Sequence, residues 1–83
     1  MSPERFQDLL DFGRRWMVPV APGRWRTVKD HAGSVYRLDG YPGGIWLLQR
    51  FDADGRMSGP DQECSSFTHG VERLRSLFSV PNA

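Results

Sequence analysis

Cysteine is almost absent from this sequence of 83 residues, which has Cys64 and no second thiol. A single cysteine cannot form an internal disulfide, so packing alone must hold the fold, as is typical of a reducing compartment. We therefore expect a cytoplasmic protein. Paired zinc-ligand motifs such as CxxC and HxxxH are absent as well, because His31 and His69 are the only histidines. We expect neither a metal nor a cofactor.

Long apolar runs are also absent. No stretch approaches the roughly 18 apolar residues that would cross a bilayer, and the N-terminal segment MSPERFQDLL lacks the apolar core of a signal peptide. The hydrophobic fraction of 39% and the mean hydropathy of -0.53 are ordinary for soluble proteins. We expect no membrane partner and one small domain over residues 1–83, with an ordered core at 3–79 and a short tail at 80–83.

Complete catalytic motifs are lacking too. Cys64 precedes a predicted helix and His69 lies in the first turn of that helix, but no carboxylate stands at a triad-like spacing, so a structural thiol is favoured. The segment Asp52-Ala53-Asp54-Gly55 begins like a calcium loop, yet neither register supplies the required carboxylates and glycine, and a plain turn is favoured. We expect no enzymatic activity and no small-molecule substrate.

What the sequence does contain is two amphipathic helices, one near each end. Ser2 and Pro3 are suited to the start of the first helix. Its predicted apolar stripe comprises Phe6, Leu9, Leu10, Gly13, Trp16 and Met17. Phe12 falls outside this stripe and is expected to be partly exposed, while Gly13 within it suggests the close approach of another backbone. The second helix follows Ser65 or Ser66, and its stripe comprises Phe67, Gly70, Val71, Leu74, Leu77 and Phe78.

Three strands are predicted between the helices, at about residues 24–29, 34–39 and 45–51. A short fourth strand is an option at residues 56–58, and residues 18–23 are expected to be an extended connector. Glycine-containing turns between the strands favour antiparallel pairing. The order α-β-β-β-α therefore predicts an α+β fold, with a three- to four-stranded antiparallel sheet and both helices packed on one face.

The third strand carries the most informative side chains, because its start, Ile45-Trp46-Leu47-Leu48, is apolar on both faces. If Ile45 and Leu47 point at the helices, Trp46 and Leu48 must point away, onto an uncovered face of the sheet. The predicted partner-binding patch is Trp46, Leu48, Arg50 and Tyr41. On this interpretation, Trp46→Ala leaves the fold intact and abolishes association.

A protein partner is the expected ligand of this patch, because Trp, Tyr and Arg dominate the binding energy of protein interfaces. We therefore expect a non-enzymatic protein-binding adaptor or inhibitor that acts by steric occupation of a partner surface. An inhibitor encoded by a phage or another mobile element is one version of this function. The alternative cover for the same face is the connector at 18–23 or a second copy of the chain in a homodimer.

A nucleic-acid-binding domain is the alternative function. Between Phe12 and Lys29 the chain has five cations and no acid. Arginines neutralise phosphates, and an exposed indole can stack on a base. The candidate residues are Arg14, Arg15, Arg24, Trp25, Arg26 and Lys29. This alternative requires the five cations to converge on one exposed face.

Overall fold

Two helices and five strands make up the part of the chain that the structure describes, residues 2–79. The computed structural model gives the order α1 (Pro3–Trp16), β1 (Met17–Ala21), β2 (Arg24–Thr27), β3 (Val35–Tyr41), β4 (Ile45–Phe51), β5 (Gln62–Cys64) and α2 (Phe67–Leu77). The strands form one antiparallel sheet in chain order. The predicted α+β class and antiparallel sheet are confirmed, but the sheet has one strand more than the upper estimate. The predicted tail at 80–83 lies outside the described residues.

Two of the strands differ from the sequence-based prediction. The expected connector is the edge strand β1, and it pairs with β2 across a turn at Pro22 and Gly23. Proline argues against a central strand, but Pro19 is tolerated here because β1 has only one neighbour. At the other edge, Met57 forms only an isolated bridge with Phe51, and the last strand is β5 instead.

The buried side of α1 is rotated from the predicted stripe. Phe12 is only 4% exposed, whereas Phe6 is 49% and Leu10 is 38% exposed. The prediction of a partly exposed Phe12 is therefore wrong. Its ring meets that of Phe78 nearly edge-on, with centroids 5.4 Å apart, because α1 packs against the C-terminal end of α2 as well as against the sheet.

The contact between α2 and the centre of the sheet is the closest in the core. Gly70 of α2 lies over Leu38 of β3, and a Cβ at Gly70 would be 2.6 Å from the Leu38 Cδ1 atom. Only glycine permits this distance. At Gly13 of α1, by contrast, a Cβ would have only the Met17 Sδ atom within 4 Å, at 3.9 Å. The prediction that another backbone closely approaches Gly13 is therefore wrong.

The position of α2 determines which face of β4 is covered. Leu38 pairs with Leu48 across β3 and β4, and both are almost fully buried beneath α2. Since side chains alternate along a strand, Trp46 lies on the same side as Leu48, and its ring centroid is 5.4 Å from that of Phe67 in α2. The prediction that Trp46 and Leu48 point away from the helices is wrong.

The strand next to β4 shows why this alternation is preferred. Gly40 lies opposite Trp46, and a Cβ at Gly40 would be 2.8 Å from the indole Cη2 atom. The indole therefore covers a position that has no side chain, while Ile45 and Leu47 take the opposite face. Both faces of the segment are apolar, so hydrophobicity alone cannot distinguish the two arrangements.

Replacing each helical glycine by alanine tests the assigned helix packing. We expect Gly70→Ala to lower the free energy of unfolding, because overpacking typically costs about 1–3 kcal/mol and outweighs a helix-propensity gain of up to about 1 kcal/mol. We expect Gly13→Ala to raise the free energy of unfolding by about 0.5–1 kcal/mol, because the added methyl group meets no clash. Urea denaturation measures both changes. Shifts of the same sign in the two variants would contradict the packing described here.

Trp46→Ala tests which face of β4 is covered. We expect it to lower the free energy of unfolding by about 3 kcal/mol, because it removes a large side chain that packs on Phe67 and Gly40. The control is Tyr41→Ala, since Tyr41 is 45% exposed at the end of β3. Its effect should stay within about 0.5 kcal/mol. Equal stability of the two variants in thermal and urea unfolding would show that Trp46 is not a core residue.

Candidate functional site

The sheet face that points away from the helices is uncovered by any other element of residues 2–79. The strand register places three kinds of side chain on it. Arg24, Arg26 and Arg37 lie on β2 and β3, together with Asp39 opposite Arg24. Ile45, Leu47 and Phe51 lie on β4, with the polar Gln49 between the last two, and Glu63 lies on β5. The face is therefore cationic near β2 and β3, apolar along β4 and acidic at the β5 edge.

A concavity of about 610 Å³ lies in the cationic part of this face. Four cations line it, Arg24, Arg26, Lys29 and Arg37, and the apolar side chains of Val35 and Phe51 lie between them. We call this surface the basic concavity. Among residues 2–79, no acidic side chain forms an ion pair with Arg24, Arg26 or Lys29. The basic concavity therefore contains more cations than acids, with Asp52 in its lining and Asp39 opposite Arg24 on β3, and this excess of positive charge suits an anionic ligand.

The acidic side chains in and beside the concavity form no ion pair with these three cations. Asp52 lies at the rim, but its Oδ1 atom already accepts hydrogen bonds from the backbone N–H groups of Asp54 and Arg56. Asp39 is buried on β3 and accepts a hydrogen bond from Arg37 Nη2 at 3.2 Å. These acids serve a turn and a single arginine.

Arg37 is held in place on both sides. Its guanidinium bonds to Asp39, whose side chain is 4% exposed, and lies 5.9 Å from the centroid of the Phe51 ring. Arg37 itself keeps 45% of its side-chain surface exposed. The Asp39 Oδ1 atom is buried and accepts no hydrogen bond from residues 2–79. A buried carboxylate and an aromatic ring thus orient one cation of the basic concavity before any ligand binds.

The predicted nucleic-acid-binding stretch is divided between two surfaces. Arg24, Arg26 and Lys29 line the basic concavity, but Arg14 and Arg15 lie on α1, on the helix side of the sheet. The required convergence of all five cations is therefore not observed, so the predicted set does not form one nucleic-acid site. Only Arg24, Arg26 and Lys29 share a face, and Arg37, which was not predicted, joins them there. The reason is that Arg14 and Arg15 belong to the helix layer, whereas alternation along β2 turns Trp25 toward the helices and Arg24 and Arg26 away from them.

Two aromatic side chains of the same stretch also lie on the helix side. The Trp25 ring is 5.4 Å from that of Phe67, and the Arg15 guanidinium is 5.2 Å from the Trp16 ring. Trp25 is therefore unavailable to the basic concavity. Sequence reasoning also missed Arg37, which completes the set of cations. The hairpin register could have found it, because Arg37 is the cross-strand partner of Arg26.

The predicted partner-binding patch does not form. Trp46 and Leu48 pack under α2, as described above. Arg50 also faces the helix side, where its guanidinium donates to the Ser34 Oγ atom at 3.2 Å and lies 6.0 Å from the Tyr36 ring centroid. Of the four predicted residues, Tyr41 alone reaches the uncovered face, opposite Ile45. The structure therefore separates the four residues.

A second surface lies on the helix side, between α1, β1, β2 and the start of α2. It is a groove of about 400 Å³. Apolar side chains dominate its lining, which includes Phe6, Leu10, Pro19, Trp25 and Phe67, with Arg14 as its one charged residue. We call this surface the apolar groove. It explains why Phe6 and Leu10, which belong to the predicted stripe of α1, are exposed.

Cys64 and His69 do not form a catalytic pair. The Cys64 Sγ atom contacts the Gln62 carbonyl oxygen at 3.9 Å, while the His69 ring lies against Ser65 and Arg73. Burial raises the pKa of the Cys64 thiol, and the nearby Arg73 offsets this only in part. Such a thiol is mostly protonated near neutral pH and weakly nucleophilic. Residues 2–79 contain no group of three potential metal ligands among His, Cys, Asp and Glu.

Comparisons with protein-family models, with curated proteins and with solved structures found no match. Within residues 2–79, neither helix combines the length and the hydropathy needed to cross a membrane. The function must therefore be inferred from the two surfaces themselves.

The buried thiol gives a prediction for chemical labelling. We expect Cys64 to react with iodoacetamide much more slowly in the folded protein than in urea, because it is 2% exposed and burial raises its pKa. The labelling rate should rise with pH in both conditions. The rise should occur at a higher pH in the native protein than in urea, because the raised pKa delays formation of the thiolate. Mass spectrometry measures both profiles. Identical pH profiles in the two conditions would contradict the buried thiol.

Proposed function

We propose that this chain is a non-enzymatic binding module that holds single-stranded nucleic acid on the uncovered face of its sheet. The observation that supports the proposal is the basic concavity, where Arg24, Arg26 and Lys29 form no ion pair with an acidic side chain of residues 2–79. Arginine and lysine neutralise phosphates and release their counterions, which supplies most of the sequence-independent affinity for nucleic acids. The proposal includes a cytoplasmic location, which the single buried cysteine supports.

The shape of the face favours a single strand over a duplex. A duplex hides the faces of its bases, and recognition from the major groove needs a helix or ribbon that enters it. Here the cations lie on one side of an open sheet face, with Phe51 at the end of β4 beside them and Tyr41 near the start of β4. Unpaired bases stack on such rings whatever their sequence, while the cations track the phosphates. We therefore expect weak sequence preference.

The steric adaptor or inhibitor function expected from the sequence stays a prediction. The residues predicted to carry it do not form a patch on this face. Its two central residues, Trp46 and Leu48, contribute to the core. An acidic protein is the main competitor for the basic concavity, because it would present carboxylates in place of phosphates. The salt dependence and the strand preference of binding distinguish the two ligands.

Fluorescence anisotropy with labelled oligonucleotides tests the proposal. We expect a single strand of mixed sequence to bind more tightly than the corresponding duplex. If three or four of the cations contact phosphates, affinity should fall about 20- to 50-fold between roughly 50 and 200 mM salt, from a slope near -0.7 per neutralised phosphate. A lack of binding at low salt would exclude nucleic acid as the ligand of this face.

Two double variants with the same change in charge locate the site. We expect Arg24→Gln/Arg26→Gln to lose most of the affinity and to reduce the salt slope by about 1.4, which corresponds to two phosphate contacts. The control, Arg14→Gln/Arg15→Gln, removes the same charge from the helix side and should change affinity little. Equal losses in both variants would show that net charge, and not the basic concavity, drives binding. Circular dichroism checks that both variants are folded.

A further inference from the structure

The apolar groove has no part in the proposed nucleic-acid binding, because it lies on the opposite side of the sheet. We propose that it receives an amphipathic helix of a partner protein, with a carboxylate beside the apolar stripe of that helix. This inference is independent of the nucleic-acid proposal. Three features of the groove indicate this ligand: the row of side chains along α1, the backbone of the β1 edge, and the charge at the rim.

The wall formed by α1 has the geometry of a helix-packing ridge. Phe6, Leu10 and Arg14 are each four residues apart, so they form one row along the helix surface. The apolar members of the row are substantially exposed, at 49% for Phe6 and 38% for Leu10. Gly13 stands beside the row and leaves space there. An incoming helix can place its own side chains next to this ridge, as helices do in protein cores.

The opposite wall and the floor supply apolar cover. Trp25 of β2 and Phe67 of α2 are partly buried, and their ring centroids are 5.4 Å apart. Pro19 of β1 continues the apolar lining. Aromatic side chains in a concave site are the usual anchors of protein recognition. The groove volume of about 400 Å³ suits a few large aliphatic side chains from a single helix face.

The backbone of β1 argues against an extended peptide as the occupant. The Val28 N–H group donates to the Trp16 carbonyl oxygen, so Trp16 and Val28 are a hydrogen-bonded pair. Because such pairs alternate along an antiparallel ladder, the backbone groups of Val18 point toward β2. Those of Met17 and Pro19 point to the free edge. The Met17 N–H group already donates to the Gly13 carbonyl, and proline has no N–H. This part of the edge offers an added strand no backbone donor. Binding by strand addition is therefore disfavoured, whereas a helix needs no donor from the groove.

The charge at the rim selects the flank of the incoming helix. Arg14 ends the row on α1, and no ion pair engages it within residues 2–79. Asp8 and Asp11, the acids nearest to it on α1, contact Arg75 and Gln7. A glutamate or aspartate on the docked helix can therefore pair with Arg14. This pairing sets the orientation of the helix more than its affinity, because exposed ion pairs are weak.

Three capped, alanine-rich helical peptides of roughly 16 residues are suitable probes. The first has leucines at i, i+4 and i+7 and a glutamate one turn beyond the last leucine. The second has lysine in place of that glutamate, and the third has the composition of the first in scrambled order. In titrations of ¹⁵N-labelled protein, we expect the first peptide to shift the signals of Leu10, Phe67 and the Trp25 indole. The second should bind about two- to fivefold more weakly, and the scrambled peptide should not bind.

Variants of the protein complete the test. Leu10→Gln should weaken the first peptide about five- to tenfold, because it removes apolar contact area. Met57→Gln is the matched control, since Met57 is 54% exposed and lies outside the groove, and it should bind as the parent does. Arg14→Glu should reverse the preference between the glutamate and lysine peptides.

Each contrary outcome overturns the proposal. Signal shifts outside the groove, an equal loss in Leu10→Gln and Met57→Gln, or an unchanged charge preference in Arg14→Glu would show that the groove does not bind such a helix. Binding of the scrambled peptide as tightly as the first would show a nonspecific apolar surface. None of these results would affect the anisotropy measurements on the basic concavity.

Discussion

The approach of α2 to β3 at Gly70 and Leu38 is the contact on which the rest of the structure depends. Because Gly70 has no Cβ, the helix backbone comes within van der Waals distance of the leucine side chain. Leu38, Leu48 and Leu74 are thereby buried almost completely. Each such side chain contributes roughly 1.5–3 kcal/mol to folding. In a chain that has no disulfide, this contact is a large part of the stabilisation.

The same contact determines the chemistry of both surfaces. Once Leu38 and Leu48 face the helices, the alternation of a strand sends Arg37 and its cross-strand partner Arg26 to the other side. The helix side collects most of the aromatic residues, and the other side collects Arg24, Arg26, Lys29 and Arg37. The apolar groove and the basic concavity therefore lie on opposite faces of one sheet. A helix in one and a nucleic-acid strand in the other do not compete for space.

Local signals in the sequence predicted both helices and the three central strands, but neither the edge strands β1 and β5 nor the orientation of β4. The caps at Ser2 and Ser66, the turn glycines and the helical periodicity predict both helices and the antiparallel pairing. The edge strand β1 escaped because its prolines argue against a strand unless its edge position is known. The alternation of β4 was reversed because Ile45-Trp46-Leu47-Leu48 is apolar on both faces. The decisive feature, Gly40 opposite Trp46, depends on strand register, which local sequence does not show.

The sequence predicted only part of the candidate site, for a similar reason. Arg24, Arg26 and Lys29 are close in sequence and were found, whereas Arg37 joins them only through pairing of β2 with β3. Arg14 and Arg15 belong to the same basic stretch, but they are residues of α1 and therefore lie on the helix side. Proximity along the chain predicts a shared surface only within one element. Patches that cross strands need the register.

The proposed binding of nucleic acid to the sheet face opposite the helices is tested most directly by a titration of ¹⁵N-labelled protein with an unlabelled single-stranded oligonucleotide at low salt, followed by amide chemical shifts. We expect the shifts to concentrate at Arg26, Arg37 and Phe51 and to leave Leu10 and Phe67 unchanged. Shifts centred on α1 and α2, or none at saturating oligonucleotide, would contradict it.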